Sequence, residues 1–184
     1  MSFLNESLIE MIIKKFNKDG IHSRAEYSAC MKYRYSLSRE WNPKAPRVLI
    51  LLLNPSTANE KSDDPTILRC RKRVSSLGFG SMRICNLFAF SSKDPKKLLI
   101  DPEPIGPKND KTILAACDWL KDGPSEPVVI CGWGTNGVIL NRGDIVKEIL
   151  TKNSLNIFCL GLTGNNQPMH PLYVSYAKKI MLWT

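Results

Sequence analysis

Histidine is scarce in this chain, with two in 184 residues, and its six cysteines never fall into a C-x-x-C pair. A structural zinc site needs Cys and His ligands grouped at short spacings, and a disulfide framework needs a denser cysteine pattern, so neither is expected. Cys85, Cys131 and Cys159 lie inside apolar runs, where cysteine serves as a small hydrophobe. No metal and no cofactor is predicted. Long hydrophobic runs are missing too. The longest, Val48 to Leu53, is far too short for a bilayer, and no membrane contact is expected. The opening "MSFLNESLIEMIIKKF" carries two glutamates and no small-residue cleavage site, so it does not read as a signal peptide. A cytoplasmic protein is expected. Repeats, low-complexity stretches and linkers are also lacking. With 43% hydrophobic and 23% charged residues, this leaves one globular domain spanning 1–184, expected to be a monomer.

What the chain has in excess is positive charge, +9 net, and it is unevenly spread. Residues 1–47 hold nine basic and five acidic side chains, residues 60–100 nine and four, and residues 101–184 eight of each. The sharpest cluster is "RCRKR", which places Arg69, Arg71, Lys72 and Arg73 within one short stretch. Such a run is either a solvated helix face or a phosphate-facing surface that gains affinity by releasing counterions from nucleic acid.

Periodicity organises the rest. Leu4, Leu8, Ile9, Ile12, Ile13 and Phe16 fit one face of an N-terminal amphipathic helix. The alternating "YSACMKYRYSLSREW" (27–41) predicts a hairpin or edge strand. Four apolar, β-rich runs follow at 47–53, 82–88, 127–132 and 155–161, with helix-like segments near 65–77, 108–121, 138–150 and 172–182. That alternation predicts an α/β fold in three layers, a central, mostly parallel four-stranded sheet flanked by helices, preceded by the N-terminal helix and hairpin.

In such sheets ligands bind beyond the carboxyl ends of the strands, and there the unusual polar residues collect. Asn54 and Pro55 end the first run; "CNLFAF", "GWGTNG" and "GLTGNNQPMHP" end or follow the others. Asn54 is either a turn opener or, held extended by the following proline, an amide aimed away from the sheet. Asp63 and Asp64 precede Pro65 and Thr66, a pattern that fits a helix N-cap for one of the pair first and a catalytic carboxylate second. Asn86, at the end of an apolar strand, must find partners or cost stability, and its amide can donate and accept side by side against the edge of a base. His170 sits in a proline-flanked loop, where a lone histidine is more often structural than functional. Trp133, between two glycines, reads as packing.

In their order, "LLLNPS", "CNLFAF", "VVICGWG" and "MHPLYV" resemble the motifs of the uracil-DNA glycosylase superfamily. The first is similar to the Gly-Ile-Asn-Pro-Gly motif of the mismatch-specific branch, the last to the His-Pro-Ser-Pro loop of the uracil-specific branch. More closely, the chain resembles a bacterial and phage domain family with LNPSTA, DDPT, NLFA and HPLY blocks, all present here together with "RYSL" and "EPIGPKND".

The resemblance implies a monofunctional DNA glycosylase with the fold of that superfamily, acting on a base flipped out of DNA. Asn54 would orient the water, with help from Asp63 or Asp64, and His170 would hydrogen-bond the departing base. Asn86 would read its Watson–Crick edge, beside Pro55 and Ser56. Phe88, Phe79 or Tyr35 would stack on it. Leu172 or Tyr173 would fill the gap in the duplex, and Arg69, Arg71, Lys72 and Arg73 would meet DNA phosphates. The iron–sulfur branches need four cysteines at spacings absent here, so no cluster is expected. Where uracil-specific enzymes carry a C5-blocking tyrosine stands Ser56, and this small residue implies a C5-modified pyrimidine, a modified cytosine of phage DNA in preference to plain uracil. A role in phage defence or DNA repair would follow. Two other readings stay open: an α/β hydrolase acting on a free nucleotide or nucleoside, and a non-catalytic nucleic-acid-binding module.

Overall fold

A computed structural model describes residues 11–184. Eight strands form a single sheet: β1 (Met11–Lys18), β2 (Ile21–Ser28), β3 (Arg34–Glu40), β4 (Arg47–Leu52), β5 (Ser81–Asn86), β6 (Val128–Cys131), β7 (Asn156–Cys159) and β8 (Met181–Leu182), in the order β1-β2-β3-β5-β4-β6-β7-β8. The pairs β5–β4, β4–β6 and β6–β7 are parallel, whereas β1–β2, β2–β3, β3–β5 and β7–β8 are antiparallel. Three α-helices complete the described chain: α1 (Pro65–Ser76), α2 (Asn109–Lys121) and α3 (Arg142–Lys152).

The expected four-stranded, mostly parallel sheet flanked by helices is therefore corrected to an eight-stranded mixed sheet. The error began at the N-terminus. Ile12 and Phe16 are four apart, a spacing that helices and strands share. The decisive signal is Asp19-Gly20, which joins Lys18 to Ile21 with both φ angles positive, at 52° and 74°. That is the turn a two-residue hairpin requires. Residues 11–16 of the expected helix are thus strand; its remainder lies outside the described residues.

Alternation along the central strands feeds two cores. Leu49, Leu51, Cys85, Val129, Cys131 and Ile157 pack with Ile113 and Leu120 of α2 and Val146 and Leu150 of α3. Val48, Ile50, Leu52, Met82, Ile84 and Ile130 pack on the other face with Ile67, Cys70 and Val74 of α1. Burial on both faces is what makes these strands nearly continuous apolar runs.

The helix expected at 172–182 is absent. Pro171–Tyr173 makes one 3-10 turn, and β8 follows at the end. The physical reason lies in α1. Arg69 donates to the carbonyls of Pro171 and Val174, and Arg73 to those of Val174, Ser175 and Lys178. Carbonyls engaged by guanidinium groups are turned away from helical hydrogen bonding. No helix among the described residues is long and apolar enough to cross a membrane, and no group of three or more His, Cys, Asp or Glu among them could hold a metal ion.

Candidate active site

The carboxyl ends of β4 and β5, the loop after β6 and the His170 turn enclose a cavity of about 280 Å³. Asn54, Ser56, Asp64, Asn86, His170, Leu172 and Tyr173 all line it, joined by Arg34, Lys93 and Trp133. The chain reaches this convergence through a few tight approaches. Gly132, just past β6, passes so close to Pro171 that a Cβ there would lie 2.7 Å from the proline ring. Only glycine lets the His-Pro turn close over the end of β6. Gly106, with φ +86°, similarly makes room for the Tyr33 ring. From the same block Asn109 donates to the carbonyls of Asn86 and Leu87, and Arg142 donates to that of Leu87 while pairing with Asp110. "GPKND" is thus a clamp on the end of β5.

Asn86 is the outstanding group. It is 1% exposed, it lines the cavity, and neither its Oδ1 nor its Nδ2 has a hydrogen-bond partner among the described residues. A buried amide left in that state costs free energy unless a ligand completes it. Asn54 is different. Its NH2 donates to the carbonyls of Pro55 and Ser92, at 3.0 and 2.8 Å. Carbonyl partners assign that edge as the donor, which leaves Oδ1 as the acceptor.

His170 accepts the Leu172 N–H at Nδ1, 3.3 Å away, so its ring proton sits on Nε2. Burial pushes its pKa below the usual imidazole value, against the smaller opposing pull of Asp64. At neutral pH it is therefore an uncharged donor. Asp64 caps α1 by accepting the Ile67 N–H at 2.9 Å, and its other oxygen faces the Ala58 N–H at 3.4 Å. The cap reading and the cavity position both hold for this residue. Asp63 does not share it: its carboxylate is taken by Arg39 and Arg71, and it does not line the cavity.

Several expected roles are corrected. Phe88 and Tyr35 are fully buried and line no part of the cavity, so neither can stack on a ligand; Phe79 packs against the α1 core. The aromatic rings that do line it are Trp133 and Tyr173. Trp133 is also packing, with Nε1 donating to Gln167 at 2.7 Å. Pro55 is buried and contributes backbone only. Arg69 and Arg73 are spent on the 171–178 segment, and Arg71 is paired with Asp63. Of the "RCRKR" cluster only Lys72 is exposed. Lys93, which lines the cavity, is exposed, as are Lys96 and Lys97 three and four residues further along the chain; none of the three stands out in the sequence.

Arg34 was missed as well, although it opens the quoted "RYSL" block. It is 3% exposed, its Nη1 donates to the Ala58 carbonyl, and its Nε has no partner. Burial draws its pKa down to about 10. A single arginine in an alternating strand carries no mark of this in the sequence.

A family model described as "Protein of unknown function (DUF1643)" matches residues 34–172, a span that begins at Arg34 and includes nearly every cavity residue. No curated protein and no solved structure matches the chain.

Proposed function

We propose that this chain, which belongs to the family of proteins of unknown function DUF1643, is a monofunctional DNA glycosylase hydrolysing the N-glycosidic bond of a flipped pyrimidine. The observation that carries the reading is one cavity containing both an orphaned amide and a neutral imidazole donor. A pyrimidine edge pairs donor with acceptor, as the Asn86 amide does. His170 Nε2–H donates to the C2 carbonyl oxygen of the base, on which negative charge grows as the base leaves. Preorganised donors of this kind supply the largest part of many rate enhancements.

In the reaction the C1′–N1 bond breaks, and both electrons leave with the base. A water oxygen bonds to C1′ and gives up one proton, and the base anion takes a proton from solvent. Asn54 Oδ1 accepts from that water and orients it. Asp64 supplies negative charge near the oxocarbenium-like sugar. Exposed Tyr173, rather than half-buried Leu172, enters the gap in the stack. Lys93 stands at the rim, exposed and hydrated, unlike the desolvated lysines that form Schiff bases.

Ser56 is exposed at the cavity wall and leaves room beside C5, which favours a modified cytosine over plain uracil and a role in phage defence or repair. The test is incubation with duplexes carrying uracil or C5-modified cytosines. Abasic sites are expected without strand breaks before alkali or heat and without a borohydride-trapped adduct. Ser56→Tyr should abolish release of the bulky base in a folded protein. Faster excision of plain uracil than of every modified base would refute the open-wall argument.

A second reading is favoured by one observation. The arginines of "RCRKR" are largely consumed inside the protein, which removes most of the expected basic surface and suits an enzyme acting on a free nucleoside or nucleotide. Salt-dependent duplex binding separates the two; release of a free base separates both from an inert binding module.

A further inference from the structure

The buried arginines fall into two groups. Arg39 pairs with Asp63, Arg142 with Asp110, and Arg73 donates to three carbonyls of the 171–178 segment. Arg34 is the exception. It makes one hydrogen bond, to a neutral carbonyl, and no carboxylate among the described residues lies within 4.0 Å of it. A cation held out of water in this way is normally compensated by a charge or a set of acceptors.

Its position shows where compensation would come from. Arg34 begins β3 and Asn86 ends β5, and these strands are antiparallel neighbours. Both residues therefore lie at the same end of these interior strands and line the same cavity. Each has buried polar atoms without a partner: Nε of Arg34, and both amide atoms of Asn86. A neutral ligand edge would satisfy the amide but bring the guanidinium no charge closer than Asp64, which lines the same cavity without pairing with it.

We infer that Arg34 and Asn86 form one subsite for a planar, amide-edged ring bearing negative charge. On the glycosylase reading, on which this inference rests, that ring is the departing base. When the C1′–N1 bond breaks, its electron pair spreads onto the C2 carbonyl oxygen, beside the edge that Asn86 reads. Arg34 then meets a charge absent from the bound substrate, and an interaction stronger in the transition state than in the ground state accelerates the step. Arg34 is in this role a catalytic residue, and His170 is the second, uncharged donor to the same anion.

The test uses free bases as probes. Isothermal titration is run on the wild type, Arg34→Lys and Arg34→Gln with 5-nitrouracil, a pyrimidine acidic enough to ionise near neutral pH, and with uracil, which stays neutral there. The wild type should bind the nitro base more tightly as pH rises through its ionisation, and its anion about tenfold or more tightly than uracil. Arg34→Gln should lose the preference and Arg34→Lys keep part of it. A preference intact in folded Arg34→Gln overturns the inference, as does a wild type that ignores ionisation. Because the wild-type pH series needs no variant, it decides even if both substitutions fail to fold. Anion preference without base release from any DNA would sustain the subsite and remove the glycosylase reading. Base release without anion preference would do the reverse.

Discussion

Arg73 and Arg34 are almost equally buried, at 5% and 3% exposure, yet they belong to regions built on opposite principles. Around Arg73, α1 and the 171–178 segment are closely paired: both Nη atoms of the guanidinium have carbonyl acceptors there, and Nε alone is left without one. Around Arg34, the ends of β3 and β5 leave buried polar atoms without partners beside a cavity. Such pairing marks groups whose task is to hold the fold. Its absence at a pre-formed concavity marks groups whose partner arrives from outside, because unsatisfied buried atoms cost stability and persist only where something else is gained. The same test divides the two buried amides. Asn109 clamps β5 through its NH2 and leaves Oδ1 unpartnered, while Asn86, on the clamped strand, has a partner for neither atom.

The largest expected effect breaks the closely paired region. Arg73→Met leaves several carbonyls without donors and should destabilise the protein by about 3 kcal/mol, measured by denaturant unfolding. Asn86→Leu should go the other way, neutral or stabilising by about 1 kcal/mol, since it removes an unsatisfied group, while abolishing ligand binding. Loss of stability in Asn86→Leu equal to that in Arg73→Met would erase the distinction.

Next come the two residues assigned to the chemistry. His170→Ala and Asn54→Ala should each lower the single-turnover rate by about 10²-fold or more with little change in DNA affinity. Near-normal rates in either folded variant would take its role away.

A smaller effect follows from His170 being buried in its neutral form. Its folded pKa lies below the unfolded value of about 6.5, so the unfolded chain binds more protons between the two. Stability must then rise with pH across that window and flatten above it. The difference between wild type and His170→Gln in pH-dependent melting isolates this contribution; a difference that instead falls with pH would reverse the assignment. Activity should stay level as pH is lowered to about 6.5, because the Nε2–H donor is unchanged until the ring is protonated.

The smallest effect concerns phosphate contacts. Replacing Lys93, Lys96 or Lys97 with Ser should each reduce the slope of log affinity against log salt by roughly one unit. Arg71→Ser should reduce it less, since Asp63 already neutralises that charge. Equal slopes in all four variants would mean that the duplex does not approach the cavity mouth.

The sequence by itself determined the elements whose signals are local. Continuous apolar runs identified β4 to β7, proline after an acidic residue located the start of α1, and strand-end polar residues led to Asn54, Asn86 and His170. The Asp19-Gly20 turn was equally local and would have converted the expected N-terminal helix into a hairpin. Only the tertiary structure could decide what the arginines do, because a guanidinium's role depends on which acceptors the chain brings to it. Those of Arg69 and Arg73 lie about a hundred residues away along the chain, at 171–178. It also decided that Phe88 lies wholly in the core while Trp133, a core residue too, lines the cavity as well, since the path of the chain beyond a strand's end sets which wall a ring joins. Arg34 and Asn86 meet for the same reason: two strands far apart in sequence are hydrogen-bonded neighbours, and pairing of that kind is written in no short stretch of residues.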